Sequence, residues 1–159
     1  MQLIKPGDKA SPIHRFKIFL AGTIDNGNSI DWQTSCYDKF ANKSITVYNP
    51  RRDSWNSSLD TSINNLDLVE QVEWELDSLR EASIILMNFL PDSKSPISLL
   101  ELGLFARDAK LIVVCPDEFY RSGNVKIVCR QYGIPCFNTI EEGLNKVIDI
   151  YNQTIFYKV

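Results

Sequence analysis

The 159-residue chain has little of several residue types on which common enzyme sites depend. It contains one histidine, His14, so a histidine-based catalytic triad would have to use that residue. Its four cysteines include no C-x-x-C pair, which argues against a zinc site and favours structural thiols. No apolar stretch approaches the roughly 20 residues that cross a bilayer. These absences argue against most hydrolase triads and against a membrane protein.

An excess of positive charge is also missing. Lysine and arginine number 17 against 20 aspartates and glutamates, which gives a net charge of −3. No overall positive field is available to neutralise a phosphate backbone, so a nucleic-acid polymer is not an expected partner. The N-terminal residues lack the apolar core and small-residue cleavage site of a signal peptide, and this predicts a cytoplasmic protein.

Apolar runs and helical patterns alternate along the chain, as they do in a parallel sheet covered on both faces. We therefore expect a single doubly wound α/β domain, flavodoxin-like or Rossmann-like, with helices on both faces of a parallel five-stranded sheet of order 2-1-3-4-5. The expected strands are 16–21, 45–48, 84–89, 111–115 and 135–137, and the expected helices are 31–42, 66–82, 95–108, 122–131 and 140–151.

The chain length predicts one domain over residues 1–159. Residues 1–15 are expected to form a polar leader. Residues 154–159 form an apolar, aromatic tail that is expected to dock on the domain or on a second subunit. The segment 51–65 is rich in serine, asparagine and aspartate and is expected to be a functional or mobile loop.

Ligands of open α/β sheets bind beyond the carboxyl ends of the strands. Side chains that directly follow the predicted strands are therefore the first candidates for a binding site. After the first three strands, these candidates are Gly22, Thr23, Asp25, Asn49, Arg51, Arg52, Asn88 and Asp92.

One charged residue stands inside an apolar helical pattern. In the helix after the third strand, Ile97, Leu100 and Leu104 are predicted to face the core. At 100° per residue, Glu101 falls within that stripe. An unpaired buried carboxylate is costly, so Glu101 needs either partners or a chemical purpose.

The same helix begins with Ser95-Pro96, which is typical of an N-cap serine followed by proline at the first helical position. Its backbone N–H groups are expected to point at the binding edge, with Ser98 as a further donor, and could hold an anion. Simple capping explains the pattern equally well.

The preceding helix carries several carboxylates. Its apolar spacing centres on Val72 and Leu76, which places Glu73 and Glu75 on the two flanks and turns the other acidic residues away. Paired carboxylates at one site suit glycosidic chemistry, although periodicity by itself does not select that reaction.

Four segments together resemble the nucleoside 2-deoxyribosyltransferase-like superfamily, and the resemblance covers residues 16 to 145. Two of its motifs, W-E-L-D and S-P-I-S-L-L-E-L-G, are fairly specific when they occur in this order. The segments are K-I-F-L-A-G-T-I-D (17–25), V-Y-N-P-R-R-D-S-W (47–55), V-E-W-E-L-D-S-L-R-E-A-S-I-I-L (72–86) and S-P-I-S-L-L-E-L-G-L-F-A (95–106).

The resemblance implies roles for individual residues. Glu101 matches the nucleophile that attacks the anomeric carbon, and Glu75 matches a carboxylate that contacts the sugar or assists departure of the base. Gly22, Thr23 and Ser95 match positions that hold a 5′-phosphate in related deoxynucleoside-monophosphate hydrolases.

The resemblance also implies a homo-oligomer with shared active sites, in which Ser122 or Asn124 reaches a partner's pocket. It implies no metal and no organic cofactor.

The chain departs from the superfamily pattern at three places. Phe19 replaces a common tyrosine, and Asp25 stands where many phosphate-binding relatives have an arginine. The Asp92–Ser98 loop is about two residues longer than in the hydrolases. Arg51 or Arg52 could supply the missing positive charge.

Three aromatic side chains are candidates for stacking on a base, although ordinary packing explains each of them at least as well. They are Trp32, Tyr48 and Trp55.

The leading hypothesis is cleavage of the N-glycosidic bond of a nucleoside, a deoxynucleoside or a 5′-monophosphate, by deoxyribosyl transfer or by hydrolysis. A non-catalytic module that binds or senses a nucleotide is the alternative, favoured by Phe19 and Asp25. A third possibility is a structural subunit whose helix around Glu101 packs on a partner.

Overall fold

The computed structural model describes residues 1–53 and 61–156. From residue 45 onward, strands and helices alternate as predicted, whereas a strand precedes the predicted first strand and the predicted helix 31–42 is two short helices. The strands are β1 (Gln2–Ile4), β2 (Phe16–Gly22), β3 (Ile45–Tyr48), β4 (Ile84–Asn88), β5 (Leu111–Val114) and β6 (Cys136–Phe137). The helices are α1 (Trp32–Ser35), α2 (Tyr37–Phe40), α3 (Leu66–Glu81), α4 (Pro96–Phe105), α5 (Ser122–Tyr132) and α6 (Ile140–Phe156), with a short 3-10 helix at Asp25–Gly27.

The strands form a six-stranded sheet in the order β1-β3-β2-β4-β5-β6, and the α/β prediction is confirmed. The predicted strand number is corrected from five to six, because β1 adds an edge strand beside β3. It pairs in parallel from Gln2 with Thr46 to Ile4 with Tyr48. A three-residue strand is too short to leave a periodic signal in the sequence, so only its pairing reveals it.

The described chain divides into two compact units. Unit 1 contains Met1–Phe19 and Ile24–Ser83, and unit 2 contains Leu20–Thr23 and the residues from Ile84 onward. In unit 1, the Trp74 ring of α3 packs near the rings of Phe19 and Tyr48, with centroid distances of 6.2 and 6.1 Å. In unit 2, α6 packs through Gly143 against Val114 and Leu86. Among the helices described, none is long and apolar enough to cross a membrane.

The inward face of α4 differs from the prediction. Ile97, Leu100 and Leu104 are 60%, 60% and 56% exposed, whereas Glu101 is 8% exposed and shares the buried side with Leu102. The helix carries almost no polar residues, so its hydrophobic pattern contains no polar side to orient it. The prediction that Glu101 is buried is confirmed, but the prediction that Ile97, Leu100 and Leu104 form the buried side of α4 is wrong.

The face of α3 is also rotated relative to the prediction. Val72 is exposed, and the polar residues Gln71 and Ser78 are buried instead, while Leu79 is buried as its apolar spacing predicts. At the C-terminus, the last helix extends to Phe156, so the first residues of the predicted tail continue α6. The rest of that tail, residues 157–159, lies outside the described residues.

Candidate functional site

In unit 2, β2 ends where its backbone passes close to β4. The Thr23 backbone N–H donates to the Asn88 carbonyl oxygen at 2.9 Å. The preceding residue, Gly22, has φ +128°, and a Cβ atom there would lie 2.1 Å from the same oxygen. Only glycine fits this approach, which brings the loop after β2 beside the end of β4.

Three buried hydroxyls form a connected group next to this crossing, which we call the hydroxyl cluster: Thr23, Ser93 and Ser95. The Ser95 hydroxyl lies 2.6 Å from that of Thr23 and 2.8 Å from that of Ser93. The Thr23 hydroxyl also accepts a hydrogen bond from the Leu90 backbone N–H at 3.0 Å. The structure therefore brings together three predicted site residues, Thr23, Asn88 and Ser95.

Ser95 is the N-cap residue of α4 and Pro96 opens the helix, as the sequence predicts. The Ser95 hydroxyl makes no capping bond to the helix, so the simple capping interpretation does not account for it. Its backbone has φ +43°, a conformation that costs a residue with a side chain on the order of 1–3 kcal/mol. Such strain concentrates at functional sites.

Further along α4, Ser98 and Glu101 lie one helical turn apart on the buried side. Glu101 is the only charged residue in Pro96–Phe105. Asp92, in contrast, is exposed in the loop before the helix. The buried face of α4 thus presents a hydroxyl and a carboxylate on the helix that begins at the hydroxyl cluster.

In unit 1, Glu75 is held by a neighbour on α3. The Gln71 Nε2 donates to Glu75 Oε1 at 2.6 Å, and the Gln71 Oε1 accepts from the Arg52 Nε. Burial raises the pKa of Glu75, while the Gln71 hydrogen bond and the Arg52 charge act in the opposite direction. Sequence reasoning missed Gln71, although its i, i+4 spacing from Glu75 is a recognisable helical pairing.

The other polar candidates of unit 1 bond to the chain itself. The Arg51 guanidinium donates to the carbonyl oxygens of Gly27 and Ser29, both at 2.8 Å. The Asn49 amide donates to the Tyr37 hydroxyl at 2.6 Å, and its oxygen accepts from the Arg51 backbone N–H. These bonds order the loop after β3.

The aromatic candidates lie mostly in the core. Phe19, Tyr48 and Trp32 are buried, and the Tyr48 hydroxyl donates to Glu81 at 2.8 Å. Trp55 lies outside the described residues. Asp25, with φ +50°, and Asn124, in the first turn of α5, are exposed.

Unit 1 also contains a polar cleft of about 460 Å³, a volume in the range of small-molecule sites. Arg52, Gln71 and the turn at residues 5–8 are among the residues that line it. The complete lining is Lys5, Pro6, Gly7, Asp8, Arg52, Asp53, Asp67, Glu70 and Gln71.

A parallel α/β sheet with buried polar groups at its strand ends and a buried carboxylate on the following helix places the protein in the class of doubly wound α/β proteins, whose ligands bind beyond the carboxyl ends of the strands. The family model described as nucleoside 2-deoxyribosyltransferase like matches residues 15–119, more than half of the chain. The chain belongs to this family of nucleoside deoxyribosyltransferase-like enzymes. No curated protein matches it.

Proposed function

We propose that the protein cleaves the N-glycosidic bond of a nucleoside, a deoxynucleoside or its 5′-monophosphate. The observation that carries this proposal is Glu101, a carboxylate only 8% exposed and the one charged residue of a largely apolar helix. A structural helix of this composition has no need of a buried charge, whereas a nucleophile gains from an environment that excludes competing water.

In the proposed reaction, a Glu101 oxygen forms a bond to C1′ of the sugar as the C1′–N bond breaks. The electron pair of that bond leaves with the base, which takes up a proton. A second base or a water molecule then attacks C1′ and releases Glu101. Deoxyribosyl transfer and hydrolysis differ only in this second step.

We assign the other roles on the basis of the superfamily resemblance. Glu75 contacts the sugar or assists departure of the base. Gly22, Thr23 and Ser95 receive the 5′ end of the substrate, with Asn88 and Ser98 as further polar contacts. The connected and buried hydroxyls of Thr23 and Ser95 support this assignment, since they offer several donors within a small volume.

The test is chromatographic detection of free base from ribo- and deoxynucleosides and their 5′-monophosphates, with and without an acceptor base. Glu101→Gln is expected to lower base release at least about 1000-fold while the protein stays folded. Glu141→Gln, at an exposed position on α6, is the matched control. Base release that survives in Glu101→Gln contradicts the proposal, and so does a folded wild-type protein that releases no base.

A non-catalytic nucleotide-binding module remains the second candidate. The observation that favours it is Phe19, whose ring packs near Trp74 and brings no hydroxyl to the site. A binding module predicts saturable nucleotide affinity without base release, and this affinity persists in Glu101→Gln.

We further propose that the chain forms a homo-oligomer, as the superfamily resemblance implies. The exposed side of α4 supports this, because Ile97, Leu100 and Leu104 present an apolar surface to solvent. An exposed apolar surface of this kind often marks a protein–protein contact.

A further inference from the structure

The Gln71 side chain is a buried amide whose two ends have different partners. Its Oε1 accepts a hydrogen bond from the Arg52 Nε. Its Nε2 donates to Glu75 Oε1 at 2.6 Å and to the Pro50 carbonyl oxygen at 3.3 Å. With 7% of its surface exposed, Gln71 cannot exchange these partners freely for water.

Only one orientation of the amide is compatible with these neighbours. A rotation by 180° would turn the NH₂ group toward the Arg52 guanidinium, which only donates hydrogen bonds. It would also turn the amide oxygen toward the Glu75 carboxylate, which only accepts them when ionised. The guanidinium therefore fixes the amide, and the amide fixes one oxygen of the carboxylate.

This connection differs from a direct ion pair between arginine and glutamate. A bidentate guanidinium occupies both oxygens of a carboxylate and holds it as a structural group. The Gln71 amide engages a single oxygen, Oε1, through one N–H. The charge of Arg52 still favours the ionised form of Glu75 across the amide.

We propose that Gln71 is a positioning residue that orients the Glu75 carboxylate for its part in glycosidic cleavage, with Arg52 holding the Gln71 amide in place. The role of Glu75 in the reaction rests on the proposed function. The contact on which it is built lies within α3 and its adjoining loop.

The experiment uses two substitutions at the same position. Gln71→Met preserves the approximate volume and removes both hydrogen bonds. Gln71→Glu preserves the acceptor for Arg52 but places a second carboxylate against Glu75. Ser78→Ala, at another buried polar position on α3, is the matched control.

Two readouts are needed. The first is the titration of the Glu75 side-chain carbon by ¹³C NMR, assigned with Glu75→Gln. The second is the pH profile of kcat/KM for base release. Gln71→Met is expected to move the Glu75 midpoint upward by about one pH unit, and Gln71→Glu is expected to move it further. The acid limb of kcat/KM should move in parallel, with a loss of about 10- to 100-fold at the wild-type optimum.

Three results would overturn the inference. The first is a Glu75 titration midpoint in Gln71→Met that equals the wild-type midpoint. The second is a midpoint that shifts in Gln71→Met while the pH profile of kcat/KM stays unchanged. The third is an equal shift in Ser78→Ala, which would mean that general packing of α3 sets the titration. If wild type releases no base, the proposed function fails, and the NMR titration alone still decides whether Gln71 holds Glu75.

Discussion

The Thr23 hydroxyl lies 2.6 Å from the Ser95 hydroxyl and links the residue after β2 to the N-cap of α4. Ser95 holds this position in a backbone conformation that an L-residue seldom adopts, with φ +43° and ψ +53°. Its side chain is therefore kept in place at a conformational cost. Substitutions at Ser95 can therefore separate the effect of its backbone conformation on stability from the substrate contact that we propose for its hydroxyl.

Two substitutions at Ser95 separate these effects. Both Ser95→Gly and Ser95→Ala remove the hydroxyl, so both are expected to raise KM by about tenfold. Glycine tolerates positive φ and alanine does not, so Ser95→Gly should be more stable than Ser95→Ala by about 1 kcal/mol. Urea unfolding and steady-state kinetics on both variants check this. Equal KM values for all three proteins would remove Ser95 from the binding site.

Gly22→Ala tests the close approach of β2 and β4. The added Cβ would lie 2.1 Å from the Asn88 carbonyl oxygen, and the backbone φ of +128° disfavours alanine in any surroundings. We expect a loss of more than about 3 kcal/mol in the free energy of unfolding, or failure to fold. Gly123→Ala, where a Cβ has nothing within 4 Å, is the control and should change stability by less than about 1 kcal/mol.

Glu75→Gln is expected to change how the free energy of unfolding depends on pH, compared with wild type. Burial raises the pKa of Glu75 in the folded protein above that in the unfolded chain. Below the unfolded pKa, the group is protonated in both states and contributes nothing to the difference. As the pH rises through the unfolded and then the folded pKa, ionisation favours the unfolded chain.

The free energy of unfolding of Glu75→Gln should therefore match wild type near pH 4 and exceed it near pH 7. Denaturant titrations at both pH values measure the difference. An advantage for the variant that is larger at pH 4 than at pH 7 would contradict a raised pKa.

Leu100→Lys tests the proposed homo-oligomer. Leu100 lies at the centre of the exposed apolar side of α4, so a lysine there should weaken self-association at least about tenfold without unfolding the subunit. Ile63→Lys, at a position 85% exposed in unit 1, is the matched control. Light scattering after size-exclusion chromatography reports the mass. An unchanged mass for Leu100→Lys would place the subunit contact elsewhere.

Cys136 should be the most reactive thiol among the four. A hydrogen bond from the Cys129 thiol lowers the pKa of Cys136, and the nearby Lys126 charge acts in the same direction. Burial instead raises the pKa of Cys36 to about 12 and that of Cys115 to about 11.

Iodoacetamide at pH 8 should therefore modify Cys136 at least about tenfold faster than the other thiols, as followed by peptide mass spectrometry. Lys126→Gln should slow the reaction. First modification at Cys36 would contradict the prediction.

The sequence predicted most of the fold because buried parallel strands are continuous apolar runs. Ile84–Asn88 and Leu111–Val114 stand out for this reason, and the helices between strands show their own spacing. Elements in which this signal is weak were not predicted correctly from the sequence. β1 is three residues long, too short to show a period. α4 has apolar residues on its exposed side as well as on its buried side, so the spacing of its apolar residues did not show which side faces the core.

The candidate site divides in the same way. Glu101 and Glu75 could be selected from the sequence, because a charge in an apolar helix and a motif shared with a family are both visible there. Gln71 and Ser93 could not be selected with confidence from spacing, because glutamine and serine are common at helix surfaces and in loops. Gln71 matters because its amide meets the Arg52 guanidinium, 19 residues away in sequence. Ser93 bonds to the nearby Ser95, and only through Ser95 does it join Thr23, which is 72 residues from Ser95.

By itself, the sequence determined the α/β class, the family and the residue that stands as a charge among apolar neighbours, since all three depend on residue types and their order along the chain. Only the tertiary structure decided which face of α4 is buried and which atoms the Ser95 and Gln71 side chains engage. Those outcomes depend on the competition of each polar atom for partners from other segments, and that competition takes place only when the segments have come together.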